Sequence, residues 1–311
     1  MKILNFKYKI PATTFVFNKI KAWVYKKNTK RGLPIFLRGN DIISISPLIA
    51  GVYEPQIKSL IDYSAKEGYS DFLVDIGANI GLTLCQSGEA FKVIHAYEPN
   101  LLCCKLIEVN SSIALHNDID IHIHPFGLGE HDVKSVLNVP KNNWGGAYIS
   151  DKSNRYSSDT LLKKDGYSKY DSTNYIKLDV VLKQARIEFS TLFSGLLQDK
   201  LTSGVIKIDV EGFELVVLQA IAETLPRELE LVIIFESWGN SINLTKFNSS
   251  FQERATLMNY TQERSFSTAN LISKALSLFF NNGYEYKLLK LTDGDTNQSD
   301  MVMIVNNFSK K

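Results

Sequence analysis

The stretch that decides the fold is FLVDIGANIG, which runs from Phe72 to Gly81. An apolar run leads here into an aspartate and then into two glycines four positions apart, Gly77 and Gly81. Glycine allows the backbone to approach a ligand closely and allows a helix to begin directly against a strand. The stretch therefore predicts a buried strand that turns sharply into a helix beside a nucleotide-like ligand.

Short apolar segments alternate with helical ones along most of the chain. After FLVDIG, further strands are predicted in VIHAYEPN, DIDIHIHPFGLG, GVIKIDVEG and ELVIIFES. Helices are predicted at about residues 54–68, 82–91 and 101–115 and in FELVVLQAIAETL. This alternation predicts a doubly wound, mainly parallel, Rossmann-like α/β sheet with right-handed crossovers. YEYKLLKL and DMVMIVNN are separated only by a polar turn, so we expect them to form a C-terminal antiparallel strand pair.

Two polar stretches, at about residues 133–202 and 241–270, interrupt this alternation. Long connections inside a domain are usually functional or disordered. Both stretches would leave from carboxyl ends of parallel strands, which is where ligands bind in open α/β sheets. We therefore expect one domain over residues 41–311 that carries both insertions, preceded by a separate arm over residues 1–40.

The net charge of +2 hides an uneven distribution. Before Asp41 the chain has ten basic residues and no acidic one, and removing those ten charges from +2 leaves the remainder at −8. In this arm Phe17, Ile20 and Val24 fall on helical spacing. Basic residues mixed with aromatic ones favour peripheral contact of the arm with an anionic membrane. The alternatives are a solvated tail and a helix packed on the domain.

The cysteines and the hydropathy of the chain indicate the cellular compartment in which the protein is expected. The cysteines are Cys85, Cys103 and Cys104, which form no disulfide framework, so we expect a reducing environment in which they are small buried residues. No apolar run approaches the roughly 18 residues that a membrane-spanning helix needs. The N-terminus also lacks the apolar core and cleavage site of a signal peptide. The expected location is the cytoplasm, with a membrane-peripheral position if the arm binds lipid.

The residues of the turn after the first strand help to distinguish between several classes of nucleotide ligand. Glu98 follows Gly77 by 21 residues, and an acid at this spacing accepts hydrogen bonds from ribose hydroxyls. Asn79 stands where a dinucleotide loop has glycine, and Asn tolerates a left-handed backbone. Asp75 suits a ligand with a positive amino group, and the Gly-Lys-Ser/Thr pattern of ATP-binding loops is absent. These features predict an adenosine-type ligand; the alternative is a tight turn beside a solvated glutamate.

Five segments carry a more specific resemblance. VDIGANIG, YEPN, PFGLGE, GVIKIDVEGFELVVLQAI and LVIIFE, in this order and spacing, resemble the FkbM-type S-adenosylmethionine-dependent methyltransferases. The resemblance runs from about Tyr53 to Asn306 and leaves out the arm and both insertions. It implies a class I methyltransferase fold, bound S-adenosylmethionine (SAM) and O-methylation of hydroxyls on sugars and natural products.

The same resemblance assigns cofactor-binding residues. The methionine part of SAM would be held by residues of the turn and strand end, namely Asp75, Gly77, Ala78, Asn79 and Gly81. Glu98 would hold the ribose, Phe126 and Gly127 would flank the adenine, and Asp209 would lie near the sulfonium.

The segment IKIDVEGFE also points to function without the family. Asp209 and Glu211 come at the carboxyl end of a buried strand, where carboxylates are costly unless they are paired or functional. They are therefore our candidate catalytic bases, although one of them could cap the following helix. Glu214 is interpreted as a solvated helix residue.

Three further residues are candidate acceptor-binding groups: Glu54, Trp144 and Glu236. Their alternatives are a helix cap for Glu54, a packing side chain for Trp144 and a surface carboxylate for Glu236. His122 and His124 share a strand face, but no third ligand is identifiable, and structural histidines are the favoured reading. We expect no metal site, because no clustered carboxylate–histidine ligand set is visible in the sequence.

The function predicted from the sequence is O-methylation of a small-molecule or glycan acceptor by SAM, with a carboxylate as general base. The alternatives are an N- or C-methyltransferase on the same fold and a non-catalytic SAM-fold module that binds a partner through the arm. The Asn/Asp-Pro-Pro-aromatic tetrapeptide of nucleobase amino methylation is absent after the fourth strand. Nucleic acid is therefore not the expected substrate.

Overall fold

The computed structural model describes residues 12–150, 171–238, 278–279, 281–282, 284–290 and 298–307. Insertion 241–270 and the first 11 residues of the arm lie outside this part of the chain. The helices within it are α1 (Ala12–Asn28), α2 (Ile45–Ala50), α3 (Pro55–Lys66), α4 (Leu82–Ser87), α5 (Leu101–Ala114), α6 (Ala185–Gln198) and α7 (Glu214–Thr224). Single 3₁₀ turns lie at Thr29–Arg31, Ile42–Ser44, Gly88–Ala90, Trp144–Gly146 and Ser172–Asn174.

The strands form two sheets. They are β1 (Phe72–Ile76), β2 (Val93–Tyr97), β3 (Asp120–His124), β4 (Gly127–Gly129), β5 (Val133–Pro140), β6 (Tyr148–Ile149), β7 (Tyr175–Gln184), β8 (Ser203–Ile208), β9 (Glu230–Trp238), β10 (Tyr284–Lys290) and β11 (Gln298–Asn307). The main sheet has the order β10-β11-β9-β8-β1-β2-β3, and its neighbours from β9 to β3 are parallel. The predicted doubly wound, mainly parallel α/β sheet is therefore confirmed. At its far edge, β11 pairs antiparallel with both β9 and β10.

The side chains of the central strands alternate between two core layers. Phe72, Val74 and Ile76 of β1 pack in the layer that contains residues of α6 and α7. Leu73 packs in the other layer, with residues of α3, α4 and α5. Strand alternation assigns Asp75 to the second face as well. A carboxylate is thus inserted into a mainly apolar layer.

The described part of insertion 133–202 is more regular than its polar composition suggested. It contains β5, β6 and β7, which join β4 in a second sheet of order β4-β7-β5-β6, and it ends in α6. The third predicted strand, DIDIHIHPFGLG, is also divided between the two sheets. Its first half is β3 of the main sheet, and its last residues form β4, which pairs with β7. The second sheet therefore begins where the chain leaves the main one.

Candidate functional site

A cleft lies where the chain order of the main sheet reverses, between β1 and β8. Parallel strands end on the same side of a sheet, so the carboxyl ends of β1, β2 and β8 meet there. Of the predicted site residues, the cleft is lined by Gly77, Asn79, Glu98, Gly127, Trp144, Asp209 and Glu211. Those outside its lining are Glu54, Asp75, Ala78, Gly81, Phe126 and Glu236.

The turn after β1 connects three strand ends. The N–H groups of Gly77 and Ala78 both donate to the carbonyl of Tyr97, with N···O distances of 2.9 and 3.1 Å. The Asp209 N–H donates to the carbonyl of Ile76 at 2.9 Å. Gly77 has a φ of +82°, and a Cβ placed on it would lie 1.9 Å from the Asp209 carbonyl oxygen. No side chain fits at this position, so the glycine is required by the close approach of β1 and β8.

Asn79 takes a left-handed conformation with a φ of 49°, which confirms the prediction that asparagine sustains the turn. Its N–H donates to Oε2 of Glu98 at 2.9 Å. Oε1 of Glu98 accepts the N–H of Asn100 at 2.8 Å. Asn100 in turn caps α5 by accepting the Leu102 N–H through its side chain. The backbone around Glu98 is therefore fixed on both sides.

Glu98 is almost fully buried, at 7% exposure, and it lines the cleft. Burial raises the pKa of its carboxyl to about 7, and the two backbone donors oppose that effect. An ionised carboxylate has about four acceptor positions. After two backbone hydrogen bonds, Glu98 therefore keeps acceptor capacity for a pair of ligand hydroxyls.

Asp75 is a completely buried carboxylate, and within the described residues neither of its oxygens has a hydrogen-bond partner. Burial raises its pKa to about 6, and the nearby Lys207 acts in the opposite direction. Such a group is costly unless a charge or a ligand compensates for it. Asp75 and Lys207 are register partners on the neighbouring strands β1 and β8.

Lys207 is a functional candidate that the sequence analysis missed. It is buried, and its Nζ donates to Oδ2 of Asp209 at 3.1 Å. Burial disfavours its charged form, but the carboxylates of Asp209, Glu54 and Asp75 outweigh burial and hold the pKa of the ammonium well above its usual value. The available signal was a lysine inside the apolar strand segment GVIKI. Lys207 thus supplies a fixed positive charge among the carboxylates at this edge of the sheet.

Three carboxylates converge beside the cleft. Oxygen atoms of Asp209, Glu211 and Glu236 all lie within 4.8 Å of one another. Glu211 and Glu236 are buried, so the reading of Glu236 as a surface carboxylate is wrong. We expected no metal site because no clustered ligand set was visible in the sequence. That reason is wrong, because these three carboxylates form a cluster of the oxygen ligands that Mg²⁺ and Ca²⁺ prefer. The sequence could not reveal it, since Glu236 comes from a different strand, β9.

The structure corrects the interpretations of two glutamates, Glu214 as a solvated residue and Glu54 as a helix cap. Glu214 is not solvated but 3% exposed, and it accepts the N–H groups of Val210 and Gly212, at 3.3 and 3.0 Å. It therefore fixes the turn that carries Glu211, whose φ is 49°. Glu54 directly precedes α3 with a φ of 43°, but its side chain makes no capping hydrogen bond. Its charge acts on Lys207 instead.

The segment before α2 contacts Trp144, which lines the cleft. The N–H of Trp144 donates to Oδ1 of the buried Asp41 at 3.3 Å, and Arg38 pairs with the other carboxylate oxygen at 3.3 Å. The Arg38 guanidinium also lies 4.7 Å from the centre of the Trp144 indole ring. Among the described residues, the buried indole Nε1 has no hydrogen-bond partner. Trp144 is thus held in the cleft lining by Asp41 and Arg38.

The second sheet supplies an apolar wall to the cleft, through Leu137, Ile149 and Leu182. In the sequence these residues lie in the polar insertion 133–202, and none of them is among the predicted site residues. Gly127 lines the cleft, but Phe126 packs against Tyr97 in the core and has Lys183 over its ring at 3.9 Å. A flat apolar ligand group would therefore meet this wall rather than the Phe126 ring.

The predicted strand histidines lie outside the cleft lining. His122 pairs with Asp120 at 2.9 Å, and Nε2 of His124 lies 3.1 Å from Nδ1 of His95. Burial lowers the pKa of His95 to about 3 and that of His124 to about 4. Both are therefore neutral at physiological pH.

One comparison with known proteins identifies a protein family. A family model described as the Methyltransferase FkbM domain matches residues 75–286. The search of curated proteins finds no match. Among solved structures, a methyltransferase FkbM from Methylobacillus flagellatus KT is 14% identical, with a TM-score of 0.32, over 93% of this chain and 60% of that one.

Two further solved structures are similar at the same level. Trm5b from Pyrococcus abyssi is 8% identical, with a TM-score of 0.38, over 82% of this chain and 50% of that one. This chain therefore spans about half the length of that protein. M. jannaschii TYW2, in complex with AdoMet, is 12% identical, with a TM-score of 0.37, over 88% of this chain and 77% of that one. At these TM-scores the likenesses carry no argument about activity.

Proposed function

The chain belongs to the FkbM family of SAM-dependent methyltransferases, and on that premise we propose that it methylates a hydroxyl group of a sugar, glycan or related natural product. The observation that carries the proposal is the convergence of Asp209, Glu211 and Glu236 beside the cleft. A hydroxyl is a poor nucleophile while protonated, so a carboxylate positioned at its oxygen promotes the transfer. Carboxylates also accept hydrogen bonds from the paired hydroxyls of a sugar.

The residues of the cleft fit SAM. Glu98 has acceptor capacity for the ribose diol, and Leu137, Ile149 and Leu182 offer an apolar wall to the adenine. The unpartnered carboxylate of Asp75 lies beneath this edge of the sheet, where negative charge favours the positive amino and sulfonium groups of SAM. When bound, SAM supplies an electrophilic methyl group on its sulfonium.

The chemistry required of the protein is alignment and proton removal. SAM, when bound, would supply the methyl group to the acceptor oxygen, and a carboxylate of Asp209 or Glu211 would take up the hydroxyl proton. Lys207 holds Asp209 in place at 3.1 Å. Alignment of oxygen, carbon and sulfur accounts for a large part of such rate enhancements.

The charge of the site also favours a neutral acceptor. Among the described residues, the carboxylates of Asp209, Glu54 and Asp75 act on the one buried ammonium, that of Lys207, and Glu211 and Glu236 lie close to Asp209. A phosphate-bearing acceptor would be repelled by this negative field. A neutral polyhydroxyl compound would not be repelled, and this agrees with a sugar rather than a nucleic acid as acceptor.

The alternatives are N- or C-methylation and a non-catalytic module, and the product distinguishes them. We expect mass spectrometry and NMR of the product to locate the new methyl group in an ether linkage. A methyl group found on nitrogen or carbon would reject O-methylation while leaving the family assignment intact. SAM binding without any transfer would support the non-catalytic module.

The affinity for SAM is expected to rise with pH. Asp75 and Glu98 have pKa values raised to about 6 and about 7, and the positive groups of SAM favour their ionised forms. Binding therefore releases protons, and below these values the affinity should fall by up to about tenfold per pH unit for each group. Calorimetry at several pH values measures the affinity for SAM. Repeating it in two buffers with different ionisation enthalpies measures the number of protons released on binding. An affinity that is flat with pH and unaccompanied by proton release would contradict these assignments.

We expect methyl transfer to need no divalent cation, although the three carboxylates lie close together. The reason is that Lys207 already provides a positive charge in contact with Asp209. Activity should be unchanged after EDTA treatment and dialysis. Loss of activity with EDTA that added Mg²⁺ or Mn²⁺ restores would instead make Asp209, Glu211 and Glu236 a metal site.

A further inference from the structure

Helix α1 exposes apolar side chains that the described part of the structure does not cover. Every residue from Val16 to Asn28 is exposed, and Phe17 and Trp23 have 58% and 63% of their surface accessible. At 100° per residue, Val16, Phe17, Ile20, Trp23 and Val24 fall within an arc of about 120° around the helix. An uncovered apolar stripe of this width marks an interaction surface.

Lysines border this apolar arc on both sides. Lys21 follows it on one side, Lys19 and Lys26 follow it on the other, and Lys27 lies within it. The Lys21 ammonium lies 4.6 Å from the centre of the Phe17 ring, and α1 contains no acidic residue. The helix thus presents a mainly apolar stripe that contains one lysine and is edged with positive charge.

We propose that α1 lies in the interface of an anionic membrane, with its apolar arc in the lipid and its lysines at the headgroups. This partner satisfies both halves of the helix surface at once. A second copy of α1 would oppose lysines to lysines, and a nucleic acid would leave the apolar arc in water. Within the described residues, no helix is both long and apolar enough to cross a bilayer. The proposed attachment is therefore peripheral.

The chain that follows α1 also exposes apolar side chains. The 3₁₀ turn that follows α1 leads into Leu33, whose N–H donates to the carbonyl of Pro47 in α2 at 2.9 Å. One turn apart on α2, Ile45 and Ile49 are exposed. These isoleucines are further exposed apolar side chains in the segment that follows α1.

The test is co-sedimentation of the full chain, without SAM, with vesicles of phosphatidylcholine alone or mixed with an equal amount of phosphatidylglycerol. We expect binding only to the mixed vesicles, and weaker binding at high salt. The double variant Lys19→Gln/Lys21→Gln should reduce affinity by about 25-fold, or about fivefold for each lysine. Trp23→Ser should reduce it by about tenfold or more, because the largest apolar contact is lost.

Matched controls separate this surface from general charge and hydrophobicity. Lys105→Gln/Lys134→Gln removes two exposed lysines elsewhere, and Ile187→Ser removes an exposed apolar side chain of α6. Both should bind as the unaltered chain does. Equal loss in control and α1 variants, or no preference for phosphatidylglycerol, would overturn the proposal. So would a dimer that Trp23→Ser dissociates while vesicle binding is unchanged, since the arc would then belong to a second copy. These outcomes do not depend on the proposed methyl transfer.

Discussion

Asp209→Asn or Glu211→Gln is expected to lower the turnover number by about 10²–10⁴-fold while SAM still binds. Each amide keeps the size of the side chain but cannot take up the hydroxyl proton. Both carboxylates line the cleft beside the turn that is predicted to hold the methionine part of SAM. The measurement is single-turnover methyl transfer at saturating SAM, together with calorimetric SAM titration of the same variants.

The matched control for these variants is Asp118→Asn, which removes an exposed carboxylate in the loop before β3. It should leave turnover and thermal stability unchanged. If both cleft variants turn over at the normal rate, neither carboxylate is the base. Glu236, the third member of the cluster, would then be the next candidate.

Glu98→Gln is expected to weaken SAM binding by tenfold or more, or about 1.5–3 kcal/mol. The amide retains one oxygen acceptor for the backbone but loses the charge and part of the capacity to accept hydrogen bonds from the ribose diol. Turnover at saturating SAM should be nearly normal, since Glu98 does not contact the acceptor hydroxyl in this account. Calorimetry measures the affinity, and a kcat against KM comparison separates binding from chemistry.

Glu108→Gln, on the exposed face of α5, is the matched control for Glu98→Gln and should bind SAM normally. An affinity for SAM that is unchanged in Glu98→Gln would exclude the ribose assignment. A fall in affinity accompanied by a lower melting temperature would instead indicate that the charge of Glu98 mainly stabilises the turn through Asn79 and Asn100.

The main sheet could be predicted from the sequence because its signals are local. Apolar runs bounded by polar residues defined β1, β8 and β9, and the spacing of Gly77 and Gly81 defined the turn. The residues of that turn and Glu98 were identified for the same reason, since each is fixed by its distance along the chain from a strand end.

The remainder of the site depends on contacts that local patterns do not encode. Trp144 meets Asp41 across 103 positions of the chain, and Glu236 reaches Asp209 from another strand. The second sheet was missed because its strands carry exposed polar residues on one side, as Lys134 and Lys177 do, so they read as a polar insertion. Lys207 is stable inside the sheet only because Asp209, Glu54 and Asp75 surround it.

The measurement that most directly tests the proposed function is transfer of label from tritiated SAM to a panel of glycans, lipid-linked sugars, RNA and protein. We predict label in a neutral carbohydrate acceptor, carried in a linkage that is stable to mild alkali, as an ether is and a methyl ester is not. The Asp209→Asn chain should transfer little label to the same acceptor. Label found only in RNA or protein would contradict the proposed function.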